Sequence, residues 1–346
     1  MICLPGYFRP GELSCLRGIA RVDSDAILNL NVCENMNADV VKVIGLVPGS
    51  VQALTVVDAG SLTEDVFWNE YVCKHIPVVI KNAAATWPAI AHWKMPGYLE
   101  GLCADENVRM SLNFNPMPSE PLLRNGLSTR KLHACIEEIR RADEGKTFSL
   151  APISVPEKWG QDLGGFPFMG KKYIRRPRGY PGKRLFVYKN ASTEWHYHPI
   201  DETVTTQLLG SKRFSLFRLD DENWQDFSVP IKTNLHHMAC RDSFFPRDKV
   251  LIKYEAVLDA GDAIYIPPFW WHGVDPADTQ FGVTLAQCFR TPLRRLGAWN
   301  EPVTREFVRD ASRMDMPILS RCILVFSTLL MISCSSIARK FSKEKW

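Results

Sequence analysis

The 346-residue chain is 46% hydrophobic and 23% charged, so it can build a sizeable core and suits one large domain or two ordinary ones. Its net charge of +4 excludes a global attraction to nucleic acid or membranes, although Lys171 to Arg184 concentrates seven basic residues and no acidic one. The ten cysteines form no CxxC pair, which argues against a zinc knuckle or a dense disulfide framework and favours a reducing, intracellular compartment. The first residues, with Pro5, Glu12 and no apolar run, do not read as a secretory signal.

In chain order, Val40 to Val47 is either a strand or a buried helical turn, because so short an apolar run has no periodicity to decide. Leu54 to Asp58 and Pro77 to Lys81 read as strands. Between them, Ser61 with Glu64 three residues on predicts a capped helix near 62–74. Ala89 to Leu102 reads as helical, Asn107 to Phe114 as a strand, and Thr129 to Ala142 as a helix. Residues 151–183, rich in proline, glycine and basic residues, read as a long surface excursion of a kind that often carries function. From Leu185 the texture changes to short strands. Val204 to Leu209 and Lys212 to Phe217 are joined by Gly210-Ser211, which reads as a two-residue hairpin turn. Val250 to Leu258, Ala263 to Ile266 and Gly282 to Phe289 follow, and such spacing predicts a barrel or sandwich. Near the end, Cys322 to Ala338 holds 17 residues without a charge, between Arg321 and Arg339-Lys340. A spanning helix needs about 20 apolar residues. This run is therefore either a tail anchor, leaving the rest of the chain facing the cytosol, or a helix packing its apolar face on the domain or on a second copy.

The residues that carry chemistry are His196, His198 and His272. On a strand, positions i and i+2 share a face, so His196 and His198 aim one way while Tyr197 points away. His272 ends an apolar stretch entered through Gly261-Asp262, and Trp270 and Trp271 beside it suggest a hydrophobic shell for a metal. Imidazole suits Fe, Zn, Cu and Ni, and a carboxylate such as Asp201 or Glu202 shifts the preference toward Fe(II) or Mn.

Several of these segments carry a wider likeness. They are Pro77 to Ala84 followed by Trp87-Pro88, Ser192 to His196, Gly210 to Phe214, and Gly261-Asp262 through Trp270-Trp271-His272. With them, the region from about Leu54 to Pro302 resembles the JmjC/cupin-8 group of Fe(II)- and 2-oxoglutarate-dependent oxygenases. The resemblance implies a mainly β fold, a double-stranded β-helix (jelly-roll or cupin barrel) with flanking α-helices. It implies Fe(II) and 2-oxoglutarate as cofactors, and hydroxylation or demethylation of a protein or small-molecule substrate. By position, His196 and His272 match the two iron histidines. Lys212 matches the base that pairs with the distal carboxylate of 2-oxoglutarate, and Thr193 matches a hydroxyl on the same carboxylate. Thr203, on the Lys212 face by strand parity, and Tyr188 are further candidate cosubstrate contacts.

One ligand departs from the family pattern: His198 stands where an aspartate is expected. The general cupin pattern offers Glu202 instead, with Asp201 as its neighbour. If 203–209 and 212–217 form a hairpin, Thr203, Thr205 and Gln207 share a face with Lys212, while His196, His198 and Glu202 face the other way. The oxygenase reading then predicts a bulge at 199–202, near Pro199, to bring the histidines onto the Lys212 face. A three-histidine site completed by Glu202 predicts a regular strand. Three functions follow: a JmjC-like oxygenase, a cupin metalloenzyme that does not use 2-oxoglutarate, or an inactive JmjC-like scaffold. The expected organisation is an extension at 1–50, an oxygenase domain at 51–302 and a helical tail at 303–346, with the anchor at 322–338. Candidate partners beyond the substrate are nucleic acid at Lys171–Arg184, a membrane, or a second subunit through the tail helix.

Overall fold

The computed structural model describes residues 42–102, 107–112, 128–150, 152–170, 182–198, 201–219, 223–227, 231–234, 237–240, 246, 249–278, 281–290, 308–309 and 317–341. Among them, strands assemble into two sheets. The smaller sheet runs in the order β1 (Ser50–Ala53), β14 (Ile252–Leu258), β11 (Lys212–Arg218), β16 (Trp270–Pro276), β9 (Thr193–His196), β13 (His237–Cys240) and β12 (Ile231–Asn234). The larger runs β2 (Val56–Asp58), β3 (Val78–Lys81), β15 (Ala263–Ile266), β10 (Glu202–Leu209), β17 (Phe281–Phe289), β8 (Lys183–Lys189), β6 (Phe148–Leu150), β4 (Asn107–Leu112) and β5 (Ser128–Lys131), with β7 (Ile153–Ser154) beside β8. From β8 to β11 and again from β14 to β17 the chain changes sheet at every connection. That alternation makes the double-stranded β-helix of a jelly-roll, as the sequence led us to expect.

Three apolar layers follow from strand alternation. Between the sheets, Phe214, Leu216, Leu258 and Val274 meet Val79, Ile264 and Ile266. The far face of the larger sheet, with Ile80, Val204, Leu208, Tyr265 and Leu285, packs under helices. These are α1 (Glu64–Val66, continuing as a π-helical turn Phe67–Val72), α2 (Pro88–His92), α3 (Tyr98–Leu102), α4 (Leu132–Arg141) and α5 (Glu157–Gly160). Helix α4 shows why: its buried residues Leu132, Cys135, Ile136 and Ile139 recur at i, i+3, i+4 and i+7. Burial on both faces also explains the uninterrupted Ala-Ile-Tyr-Ile of β15. The far face of the smaller sheet, with Trp195, Phe217 and Trp271, is covered by Val43, Val47 and Phe227 of helix α6 (Trp224–Phe227).

Several local expectations change. Gly210-Ser211 is not a hairpin turn, because β10 and β11 lie in different sheets. It is an arch across the barrel, for which Gly210 supplies a φ of +75°. The first helix is capped by Thr63, whose Oγ1 accepts from Val66 N at 3.2 Å, while the Ser61 hydroxyl donates to Asp58 O at 3.0 Å. The helical stretch at 89–102 divides at Met95-Pro96-Gly97, where Gly97 has a φ of +78°. Residues 128–131 form β5, so the helix expected from Thr129 starts at Leu132. The excursion at 151–183 is not all surface, since Trp159, Phe166 and Phe168 are buried in the core; 171–181 lie outside the described residues. Of the run at 40–47, residues 42–47 are described, and they hold a 3-10 turn at Ile44–Leu46 that is part of the folded body.

The tail forms α7 (Ile318–Phe341). No helix among the described residues is long and apolar enough to cross a membrane, so the structure does not support the tail anchor expected at 322–338. Serines dilute the run, and Leu319, Ile323, Phe326 and Leu330 are exposed beside a buried Thr328.

Candidate metal centre

The two sheets bring His196, His198 and His272 together, with their potential ligand nitrogens all within 4.8 Å of one another. The histidines arrive by different routes. His196 and His272 lie opposite each other on β9 and β16, where His272 also faces Leu216 of the interior. His198 lies beyond the end of β9. Its carbonyl accepts the N–H of Phe269 at 3.0 Å, in the turn after Pro267-Pro268, where Phe269 takes a φ of +61°. That turn seats His198 against the start of β16.

In each imidazole Nδ1 already has a partner. His196 Nδ1 is 2.8 Å from Glu194 O, His272 Nδ1 is 3.0 Å from Trp270 O, and His198 Nδ1 is 2.8 Å from Thr203 Oγ1. A carbonyl can only accept, so Nδ1 of His196 and His272 carries the proton and Nε2 keeps its lone pair. This is the usual outer contact of a metal-binding histidine. Burial pushes the His272 pKa down to about 4, against the opposing pull of the Trp270 carbonyl, which keeps the ring neutral as a ligand must be. His196 and His198 are half-buried, so the cluster opens on one side. Three neutral imidazoles in this arrangement fit a divalent transition metal.

A bulge lies in β9, and it is not the one expected at 199–202. Thr193 to His196 spans three residues opposite the two from Val274 to His272. The extra residue in β9 puts Thr193 and His196 on one inward face and turns Trp195 outward, against Gly273. Between His198 and β10 the chain changes sheet, so strand parity does not carry across; residues 199 and 200 lie outside the described residues.

The carboxylates go elsewhere. Glu202 shares its face of β10 with Val204, toward the helices, and is fully buried there. Asp201 accepts from Arg290 Nε at 2.6 Å; burial raises its pKa and the Arg290 guanidinium opposes that rise. Neither joins the three histidines. Trp271 also departs from expectation, since it packs on the far side of β16 with Tyr197 and Phe217. Trp270 donates its indole N–H to His75 O at 3.0 Å.

Polar side chains continue inward from the histidines. Thr203, Thr205 and Gln207 share the interior face of β10 with Ile266 and Ile264 of β15, while Lys212 shares the face of Phe214 and Leu216. Both sets face the barrel interior, although the strands are not a hairpin. Lys212 lies four residues along β11 from the position opposite His272, and Thr193, opposite Val274, stands between those levels. Lys212 is buried, with Nζ 3.7 Å from the centre of the Tyr188 ring. Burial pushes its pKa down to about 7, and Asp275 resists the shift.

Gln207 fixes the phenol beside it. Gln207 Nε2 donates to Tyr188 OH at 2.7 Å and to Leu209 O at 2.6 Å, while its Oε1 accepts from Thr284 Oγ1 at 2.8 Å. With an oxygen lone pair occupied, the phenol has its own proton to offer. Burial raises the Tyr188 pKa and keeps that proton in place. Sequence parity put Gln207 on this face without giving it a role; Thr284 was not anticipated.

A buried clamp on the outward face of the smaller sheet was also not anticipated. Asp275 accepts Val43 N at 2.8 Å, Ile44 N at 3.2 Å and Ser192 Oγ at 2.8 Å, while Val43 O accepts Trp195 Nε1 at 2.7 Å. The 43–46 turn thereby braces both ends of the bulge that presents His196.

A jelly-roll with three converging histidines at one level and a buried lysine further along is the architecture of a cupin-type barrel. Residues 63–292 match the cupin-like domain family, and the chain belongs to this JmjC-type family. It is 22% identical over 279 residues to Lysine-specific demethylase JMJ30 of Arabidopsis thaliana, covering 76% of this chain and 61% of that protein. It is 23% identical over 243 residues to JmjC domain-containing protein D of Dictyostelium discoideum, covering 63% of this chain and 52% of that protein. The chain thus spans between half and two thirds of the length of these relatives.

Proposed function

We propose that the chain is a 2-oxoglutarate-dependent oxygenase that hydroxylates a C–H bond, with N-methyl lysine as one substrate class suggested by the demethylase relative. The observation that carries the reading is the joint placement of the three imidazoles and Lys212 on the interior faces of one barrel. His196, His198 and His272 would hold Fe(II) through Nε2. Lys212 and the Tyr188 hydroxyl would take the distal carboxylate of 2-oxoglutarate, with Thr193 beside them. Bound iron would supply the chemistry by which O₂, the oxidant, places one oxygen atom in the C–H bond and the other in succinate, as 2-oxoglutarate gives up carbon dioxide. The chain's own part is to orient and screen. The carbonyls of Glu194 and Trp270 fix two imidazoles, Gln207 aims the Tyr188 proton, and the apolar layer around Phe214 and Ile264 limits water around the buried lysine.

The histidine at 198 is the observation that favours a second reading, a JmjC-type scaffold without turnover. One experiment separates the two. Purified full chain with Fe(II), labelled 2-oxoglutarate and oxygen is expected to release succinate without added substrate, and His272→Ala is expected to abolish the release. Metal and 2-oxoglutarate binding without turnover would select the scaffold. Metal binding without 2-oxoglutarate binding would select a different cupin chemistry.

A further inference from the structure

The partners of the three imidazoles differ in kind. His196 and His272 each give Nδ1 to a backbone carbonyl two residues upstream, at 2.8 and 3.0 Å. His198 gives Nδ1 to a side chain, Thr203 Oγ1, at 2.8 Å. A carbonyl fixes the tautomer by itself. A hydroxyl both donates and accepts, so it fixes the tautomer only when its own proton is committed elsewhere. Cys288 lies opposite Thr203 in the β10–β17 register, with Sγ 3.7 Å from Thr203 Oγ1, and Sγ also accepts Arg184 Nη2 at 3.4 Å. A guanidinium can only donate, which establishes the sulfur as an acceptor at this point. Either partner of the Thr203–Cys288 contact can donate; when the Thr203 hydroxyl donates to this sulfur, its oxygen is left to receive His198 Nδ1–H.

We propose that Thr203 is a positioning residue for the metal, its hydroxyl directed to Cys288 so that His198 is held with Nδ1 protonated and Nε2 turned to the ion. The inference rests on the reading of the three histidines as a metal site. It moves Thr203 from the candidate cosubstrate contacts to the support of a ligand. It also explains how an imidazole can serve where the family pattern has a carboxylate. An aspartate presents equivalent oxygens on a short stem, whereas an imidazole must be held in one tautomer and one ring orientation. His198 lies beyond the last residue of β9, so the strand does not supply that restraint.

The test is Co(II) affinity of the full chain, measured by chelator competition, with the ¹⁵N shifts of the His198 ring in the metal-free protein. Thr203→Val removes the hydroxyl at nearly constant shape and is expected to weaken Co(II) binding about 10- to 100-fold. It is also expected to move the His198 nitrogens toward the mixed-tautomer values of a free imidazole. Thr203→Ser is expected to restore both. Cys288→Ala, which leaves Thr203 in place, is expected to shift the His198 nitrogens in the same direction and serves if Thr203→Val does not fold. Unchanged affinity and shifts in Thr203→Val, or a serine variant as weak as valine, would overturn the role of the hydroxyl. Wild-type protein that binds no Co(II) would overturn the metal reading itself, and the proposal with it.

Discussion

Replacing Lys212 with arginine is expected to flatten the pH dependence of 2-oxoglutarate binding, and the size of the effect follows from the burial of the lysine. Its pKa of about 7 leaves the ammonium about half protonated at pH 7 in the empty site. About one tenth remains protonated at pH 8. A carboxylate bound against Nζ raises that pKa again, so binding above pH 7 takes up a proton. The affinity is then expected to fall about tenfold per pH unit above 7 and to level off below pH 6. Calorimetry in buffers of different ionisation enthalpy measures both affinity and proton uptake. Arginine stays charged across this range, so Lys212→Arg binds without uptake and with a shallow pH profile. Lys212→Met lacks the charge-assisted bond, worth about 1.5–3 kcal/mol, and is expected to bind at least about tenfold more weakly. The empty protein responds in the opposite sense. The folded pKa lies below the ordinary 10.5, so the unfolded chain holds more protons between the two values. The contribution of this group to stability therefore rises with pH from about 7 upward. An affinity constant from pH 6 to 8.5 with no proton uptake would refute the assignment of Lys212 to the carboxylate.

Three further perturbations test other parts of the site. Gln207→Leu removes the donor that orients Tyr188, and is expected to weaken 2-oxoglutarate binding by about 1 kcal/mol while Co(II) affinity stays unchanged. Gly282→Ala would place a Cβ 2.2 Å from Tyr188 Cζ, so the phenol must leave its position against Lys212. A crystal structure is expected to show that displacement, and titration a loss of cosubstrate affinity. Asp275→Ala strands the N–H groups of Val43 and Ile44 and the Ser192 hydroxyl, and is expected to cost about 3 kcal/mol in urea unfolding. It is also expected to weaken Co(II) binding, because the 43–46 turn braces the β9 bulge.

The legible and illegible parts of this molecule divide by the range of the interactions behind them. His196, His198 and His272 could be named because a His-x-His on a strand and a histidine after an apolar strand are local patterns with a local meaning. Lys212 could be named only through the family resemblance, since alternation along an assumed hairpin set it on the face opposite the histidines. The pairing of β10 was beyond local reading. Gly210-Ser211 reads as a hairpin turn, and only closure of the barrel, which sends consecutive strands to different sheets, makes it an arch. A bulge was expected at 199–202 within one continuous strand, but β9 and β10 lie in different sheets, and a separate bulge lies between Thr193 and His196, where Trp195 turns outward onto Gly273. Trp159, Phe166 and Phe168 were hidden by the prolines and glycines around them, which mark a loop without showing what it covers. The thiol behind Thr203 is set by a register between β10 and β17, strands about 80 residues apart in the sequence, and no local pattern announces it.

The central claim is that three imidazoles and a lysine in one barrel hold Fe(II) and 2-oxoglutarate together. Anaerobic equilibrium titration of the full chain with Fe(II), and then with 2-oxoglutarate, tests it most directly. One Fe(II) per chain is expected, followed by one 2-oxoglutarate whose affinity depends on the metal, with both lost in His272→Ala. Failure of either ligand to bind at physiological concentration, or 2-oxoglutarate binding that is indifferent to the metal, would contradict it.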